Sequence, residues 1–152
     1  MRDFRKIKAW QRAHALAIAM YKLTRGYRRA GFAGLRSQLT DAAGSISTNI
    51  VEGCGAPSNK EFARYLAMSI DSANETEYHL LTSRDLSLIE PNDWQKYTAE
   101  TIEVRKMIYT YRVKVLSDDA KPASDHRRVT LPNDADSPPA DGRLKAEPKA
   151  DS

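Results

Sequence analysis

The sequence has a single cysteine, Cys54, and no apolar run long enough to cross a membrane. One cysteine cannot form an intrachain disulfide, so a reducing compartment is the simplest interpretation. A membrane-spanning helix requires about 20 consecutive apolar residues. The first ten residues also lack the apolar segment of a secretory signal peptide. We therefore predict a cytoplasmic protein with no membrane partner.

Acidic residues are almost absent from the first quarter of the chain. Residues 1–36 contain ten lysines and arginines and one acid, Asp3, whereas acids outnumber bases in residues 37–116. Such an asymmetry is typical of a protein that binds an anionic partner. A charged helix face that only promotes solubility is the alternative interpretation.

Aromatic residues are absent from residues 117–152, which hold five of the seven prolines. A segment of this composition buries too little apolar surface to offset the entropy that ordering costs. We predict that residues 117–152 form a disordered Pro/Asp-rich tail and that residues 1–116 form the folded domain.

Four helices are predicted from apolar spacing, over about 7–26, 35–52, 58–88 and 92–116, with no convincing strand. Ser58 with Glu61 is typical of a capping box, and Asn92 with Gln95 could cap the fourth helix in the same way. Short connections and a four-three apolar alternation favour an all-α, antiparallel up-down-up-down four-helix bundle. The apolar stripe of the fourth helix is Tyr97, Thr101, Val104, Ile108, Tyr111 and Val115. Off this stripe it carries Trp94, Ile102, Met107 and Tyr109, which favours an oligomer or a docked partner.

The second predicted helix is poor in bulky side chains and stops at Gly53 and Gly55. Small residues let neighbouring helices approach closely, so this helix should lie deep in the bundle. Asn49 lies on its apolar side and Glu52 lies just before the glycine stop. We predict architectural roles for both, because buried polar groups must find partners.

Several motifs occur together in one order along the chain. They are Trp10-Gln11 with Ala13, the run from Leu39 through Ala42-Ala43, Ser45-Ile46 and Asn49-Ile50 to Glu52-Gly53, and Ser58 with Lys60-Glu61-Phe62. Over roughly residues 3–116 the chain resembles the bacterial four-helix-bundle family of 23S rRNA intervening sequence proteins. That family is related to the accessory variability determinants of diversity-generating retroelements.

The resemblance implies a ring-like homopentamer with a basic surface, which acts as an accessory to an rRNA insertion or a retroelement. It also implies nucleic acid and a reverse transcriptase or other protein as partners. Members often carry two basic residues where this chain has Thr40 and Asp41. The resemblance therefore gives no support for a nucleic-acid surface at this part of the second helix, and the basic first helix is the stronger candidate.

The candidate phosphate-binding residues are basic side chains in and around the first helix, at the start of the second and on the fourth, because lysine and arginine neutralise phosphates. They are Arg5, Lys8, Arg12, Arg25, Arg28, Arg29, Arg36, Arg105 and Arg112. Nothing in their pattern specifies bases, so the prediction is recognition of RNA or DNA by shape. The alternative function is a protein-interaction scaffold whose partner docks on the bundle rim or the tail.

Signatures of catalysis or metal binding are weak. Glu75 and His79 share a helix face, but no Glu-x-x-His motif exists, so an ion or hydrogen-bonded pair is favoured over a metal site. Cys54 follows a helix C-terminus, where the dipole does not activate a thiol, and no phosphate-binding glycine loop is present. We predict a protein that is not an enzyme and that has no catalytic residue, metal or cofactor.

Overall fold

The structure, a computed structural model, describes residues 1–120. Two short 3-10 helices, Phe4–Lys6 and Thr24–Gly26, flank the first long helix. The described residues contain no strand, and their long helices are α1 (Lys8–Leu23), α2 (Ala33–Cys54), α3 (Asn59–Asp85) and α4 (Pro91–Asp119).

The four helices pack in chain order around one core. Helix α1 lies between α2 and α4, and α3 lies between the same two helices on the other side. The core contains large side chains from all four helices, including Leu16, Ile46, Phe62 and Ile108. These neighbour relations and the short connections confirm the predicted up-down-up-down bundle.

Helix α3 begins with the Ser58 half of the predicted capping box, whereas the Glu61 carboxylate pairs with Arg64. The Ser58 hydroxyl accepts a hydrogen bond from the Glu61 backbone N–H at 3.1 Å. The predicted Asn92 cap of α4 is wrong, since α4 begins at Pro91 with Glu90 as its N-cap. Proline suits the first helical position because it lacks the N–H that would be unsatisfied there and its φ angle is preset.

Helices α2 and α3 meet closely at the end of α2. A Cβ atom placed on Gly53 would lie 2.7 Å from Cδ2 of Phe62 and 2.7 Å from Cβ of Tyr65. Farther along the same seam, the buried Ser69 hydroxyl donates to the Ile46 carbonyl at 2.6 Å. The small residues of α2 therefore allow the close approach that the sequence predicts.

The end of α4 lies beyond the predicted domain boundary at residue 116, because the helix continues to Asp119. The remainder of the predicted tail, from residue 121 onward, lies outside the described residues. The division at 116 thus stays a prediction. None of the helices in residues 1–120 combines the length and the apolar character needed to cross a membrane.

Candidate nucleic-acid interface

Three of the predicted arginines lie on the connection between α1 and α2. Arg25, Arg28 and Arg29 are all exposed, and none makes an ion pair with a described residue. Their guanidinium groups are therefore available to an anion from solution. We call these three residues the arginine cluster.

Buried side chains within the connection fix the backbone that carries the arginine cluster. Thr24 is fully buried and its hydroxyl donates to the Met20 carbonyl at 2.8 Å. Tyr27 is also buried, and its carbonyl accepts the N–H of Phe32 at 2.8 Å. Gly31 turns the chain at a φ of +85°, a conformation that glycine adopts without steric cost. The connection is thus a short anchored loop with basic side chains on its outside.

Arg36 lies beyond this loop, near the start of α2, and is half-buried. Its backbone carbonyl accepts the Thr40 hydroxyl at 2.9 Å. Thr40 is itself buried, so this position of α2 offers no surface to a ligand. Asp41 is exposed.

Arg5 and Lys8 lie at the opposite end of α1 from the arginine cluster. The Arg5 Nη1 atom lies 3.7 Å from Asp3 Oδ1, and its guanidinium lies 4.8 Å from the centroid of the Phe4 ring. Lys8 is exposed and is the first residue of α1. Apart from Arg12 and Arg36, the basic residues of the first quarter of the chain thus lie near one or the other end of α1.

Arg12 joins α1 to α4. Its Nε and Nη2 atoms donate to the two carboxylate oxygens of Glu100 at 2.9 and 2.6 Å, and Nη1 lies 3.4 Å from the Met107 sulfur. The hydrogen bond to Glu100 raises the pKa of Arg12, so the side chain stays charged. Arg12 therefore links α1 to α4 through an ion pair.

Arg105 and Arg112 also have partners within the bundle. Arg105 of α4 donates to Asn74 Oδ1 at 2.8 Å and forms an ion pair with Glu77, both on α3. Arg112 donates to the backbone carbonyl of Ala63 at 3.1 Å. Both are half-buried, so each would have to exchange a protein partner for a phosphate.

The two predicted architectural residues differ in their surroundings. Asn49 is buried, and its amide donates to the Ser45 carbonyl at 2.9 Å and approaches the Ser72 hydroxyl at 3.5 Å. Glu52 is exposed, and its backbone carbonyl accepts the N–H of Gly55 at 3.1 Å. The amide therefore links α2 to α3, whereas the Glu52 side chain faces solvent.

Lysines that are distant in sequence meet at a groove between the start of α1 and the second half of α4. The groove has a volume of about 590 Å³. Ile7, Met107 and Tyr111 line its apolar interior, and Lys6, Lys8, Lys106 and Lys114 surround it. We call this feature the lysine groove. The sequence analysis identified Lys8 as a candidate but did not predict this groove. Antiparallel packing of α1 against α4 would have placed the start of α1 beside the end of α4, and so these lysines near one another.

Other reactive groups have ordinary surroundings. Cys54 is buried, and burial raises the pKa of its thiol, which disfavours the nucleophilic thiolate. The buried His79 places Nε2 3.4 Å from Oε1 of Glu75, which is the pair expected from the sequence. Within residues 1–120, no group of three or more His, Cys, Asp or Glu residues is arranged to hold a metal ion.

Comparison with known proteins gives a family and a fold. A crystal structure at 1.70 Å resolution is similar; it shows a protein of unknown function from the S23 ribosomal protein family of Bacteroides thetaiotaomicron. The TM-score is 0.65 at 20% sequence identity, with 69% of this chain and 95% of that chain covered. This likeness supports the bundle fold. No curated protein matches the chain. The family model of the 23S rRNA-intervening sequence proteins matches residues 5–110, and the chain belongs to that family.

Proposed function

We propose that this protein is a non-enzymatic, cytoplasmic RNA-binding bundle that contacts the phosphates of a structured nucleic acid. The observation that carries the proposal is the arginine cluster, three exposed guanidinium groups without an ion pair among the described residues. The name of the family associates its members with 23S rRNA, which favours RNA over DNA as the ligand.

The arginine cluster suits phosphate binding because its backbone is already ordered. The buried Thr24 and Tyr27 anchor the connection, so binding has to order only side chains. Arginine can donate two parallel hydrogen bonds to one phosphate. Contacts of this kind position a protein on a nucleic acid without reading its bases, so we expect recognition by shape.

The remaining predicted cations should contribute more to RNA affinity when they have fewer partners within the protein. Lys8 has no ion pair with a described residue, Arg5 has a weak one, and Arg36 lies close to the cluster in sequence. Arg12, Arg105 and Arg112 hold helices together, and each would lose a partner on binding RNA. We therefore assign these three a smaller share of the affinity.

We further propose that the bundle acts as a homo-oligomer, with a pentamer as the expected size. Large apolar side chains remain exposed on α3 and α4, including Tyr78, Tyr109 and Val113. A pentamer would repeat the arginine cluster five times and raise avidity without any new type of contact. Light scattering on the purified protein measures the assembly, and a monomer would contradict this part of the proposal.

Filter binding with 23S rRNA fragments and duplex DNA tests the main proposal, at salt concentrations between about 50 and 200 mM. Replacing Arg25, Arg28 and Arg29 together by glutamate should weaken RNA binding on the order of hundredfold and reduce the salt dependence by about one unit per lost contact. Arg64→Glu makes the same change in charge as each single variant of the cluster and is the control for Arg28→Glu, because Arg64 is exposed on α3 and already pairs with Glu61 at 2.7 Å. Unchanged affinity in the triple variant would remove the arginine cluster from the interface.

A protein-interaction scaffold is the second candidate function, with a reverse transcriptase or another protein as partner. It is favoured by Tyr109 of α4, which lies off the buried stripe and is 59% exposed. A pull-down should compare the full chain with one truncated after Ala120, which keeps α4 whole. If the truncated chain no longer captures the partner, the partner docks on the tail. If the full chain with Tyr109→Lys no longer captures it, the partner docks on the bundle.

A further inference from the structure

The lysine groove combines an apolar interior with a positive rim. Met107 and Tyr111 of α4 and Ile7 before α1 line the inside, and the four lysines stand around them. Its volume of about 590 Å³ lies within the range of small-molecule sites, roughly 300–1,000 Å³. The groove is therefore large enough to take a single planar group of a ligand.

The positive charge of the groove is largely uncompensated. Lys106 pairs with Glu103 at 2.9 Å. Lys6, Lys8 and Lys114 make no ion pair with any residue in the described part of the chain. Helix α1 also begins here with no acidic residue in its first turn and no side-chain cap on Ile7. All of these features favour an anionic ligand at this end of α1.

An apolar interior together with surrounding lysines restricts the chemistry of the ligand. A simple anion such as inorganic phosphate would leave the apolar interior unfilled, and a neutral apolar molecule would leave the lysines unused. A nucleotide has both a flat, largely apolar base and a phosphate on each side of it. In an RNA duplex the bases are stacked inside and cannot enter a groove on a protein, whereas an unpaired base can be splayed out.

We propose that the lysine groove binds one unpaired nucleotide of an RNA, with its base against Met107 and Tyr111 and its flanking phosphates on the lysines. This inference rests on the proposed function, since it names which feature of a structured RNA is recognised. The arginine cluster at the other end of α1 supplies contacts to the duplex, and the lysine groove supplies the preference for a bulge or loop.

The test compares two hairpin RNAs of equal length, one fully paired and one with a single bulged nucleotide, by fluorescence anisotropy with the full chain. We expect the bulged RNA to bind about tenfold more tightly, a typical gain for one base held by apolar or stacking contacts. Lys8→Glu with Lys114→Glu should remove this preference. Lys114→Glu alone should reduce the preference, and Lys96→Glu, which makes the same change in charge near the other end of α4, should leave it unchanged.

A variant that fills the groove tests the site without changing charge. Thr110 is exposed and lines the groove, so Thr110→Trp should fold normally and block entry of the base. It should reduce binding of the bulged RNA to the level of the paired RNA and leave paired binding unaltered. A 4-thiouridine at the bulge should crosslink to the groove in the parent protein and not in this variant.

The outcomes separate this inference from the proposed function. Equal affinity for the two hairpins, with both sensitive to the arginine cluster, would overturn the groove assignment and leave RNA binding intact. A preference that survives Thr110→Trp, or a crosslink outside the groove, would also overturn it. Binding of neither RNA would overturn the proposed function and this inference together.

Discussion

The seam between α2 and α3 is closed, whereas the seam between α1 and α4 is open. Gly53 leaves no room for a side chain against Phe62 and Tyr65, and Ser69 donates a buried hydrogen bond across the closed seam. Between α1 and α4, the Arg12–Glu100 ion pair is partly exposed and the lysine groove lies beside it. The two seams thus use opposite chemistry to join helices of one bundle.

This difference separates the scaffold from the candidate binding surface. Small side chains on α2 bring the backbones of α2 and α3 together, and at Gly53 they leave no room even for a Cβ atom. Long charged side chains on α1 and α4 meet on the exposed side of these helices, beside the lysine groove. We therefore expect substitutions in the closed seam to change stability, and substitutions in the open seam to change binding.

The largest expected effect is the loss of stability in Gly53→Ala. Its Cβ would lie 2.7 Å from atoms of both Phe62 and Tyr65, so one helix must move. Overpacking of this kind costs about 1–3 kcal/mol. The matched control is Gly44→Ala in the same helix, where no atom lies within 4 Å of the new Cβ. Alanine there should stabilise α2 by up to about 1 kcal/mol, because glycine is a poor residue within a helix. Urea unfolding measures the change in the free energy of unfolding for both variants. Equal changes would show that α2 and α3 are not closely packed at Gly53.

The next effect distinguishes Asn49 from Glu52. Asn49→Ala removes a buried amide that bonds to Ser45 and approaches Ser72, so we expect a loss of about 1–2 kcal/mol. Glu52→Ala changes an exposed side chain and should stay within about 0.5 kcal/mol. Thermal and urea unfolding of both variants measure this difference. A larger loss for Glu52→Ala would reverse the assignment of the architectural residue.

A smaller effect is expected from the ion pair of the open seam. The Arg12 and Glu100 side chains are 43% and 34% exposed, so water and salt weaken their attraction. A double-mutant cycle with Arg12→Ala and Glu100→Ala should give a coupling energy below about 1 kcal/mol that falls further in high salt. A salt-independent coupling above that size would show that this seam is as closed as the other.

Much of the scaffold could be predicted because its determinants are local or periodic. Thr101, Val104, Ile108 and Val115 follow a four-three alternation, and all are buried. Such spacing shows which face of a helix is buried whatever it packs against. The Ser58 cap was likewise readable, since its partner lies three residues away.

The candidate site depends on contacts between distant parts of the chain, and these have no local signal. Arg105 and Arg112 look like free cations in the sequence, yet their partners Glu77 and Ala63 lie on another helix. Lys6 and Lys114 meet only because α1 and α4 are antiparallel neighbours. The sequence shows where charge is concentrated, whereas packing decides which charges are available to a ligand.

The smallest expected effect is a loss of stability at alkaline pH from Cys54, at the closed end of α2. Burial raises the pKa of its thiol in the folded state. The folded protein therefore favours the neutral thiol, and this contribution is fully present below the unfolded pKa of about 8.5 and is lost as the pH rises through the folded pKa. Between pH 8 and 9.5, the parent protein should lose more stability than Cys54→Ala, measured by urea unfolding at each pH. Burial also raises the pKa of Tyr27 and Tyr111, but both tyrosines are present in the two proteins, so the comparison with Cys54→Ala isolates the thiol. Parallel pH profiles for the two proteins would mean that the thiol is not shielded, and that the end of α2 opens to water more than the rest of the closed seam.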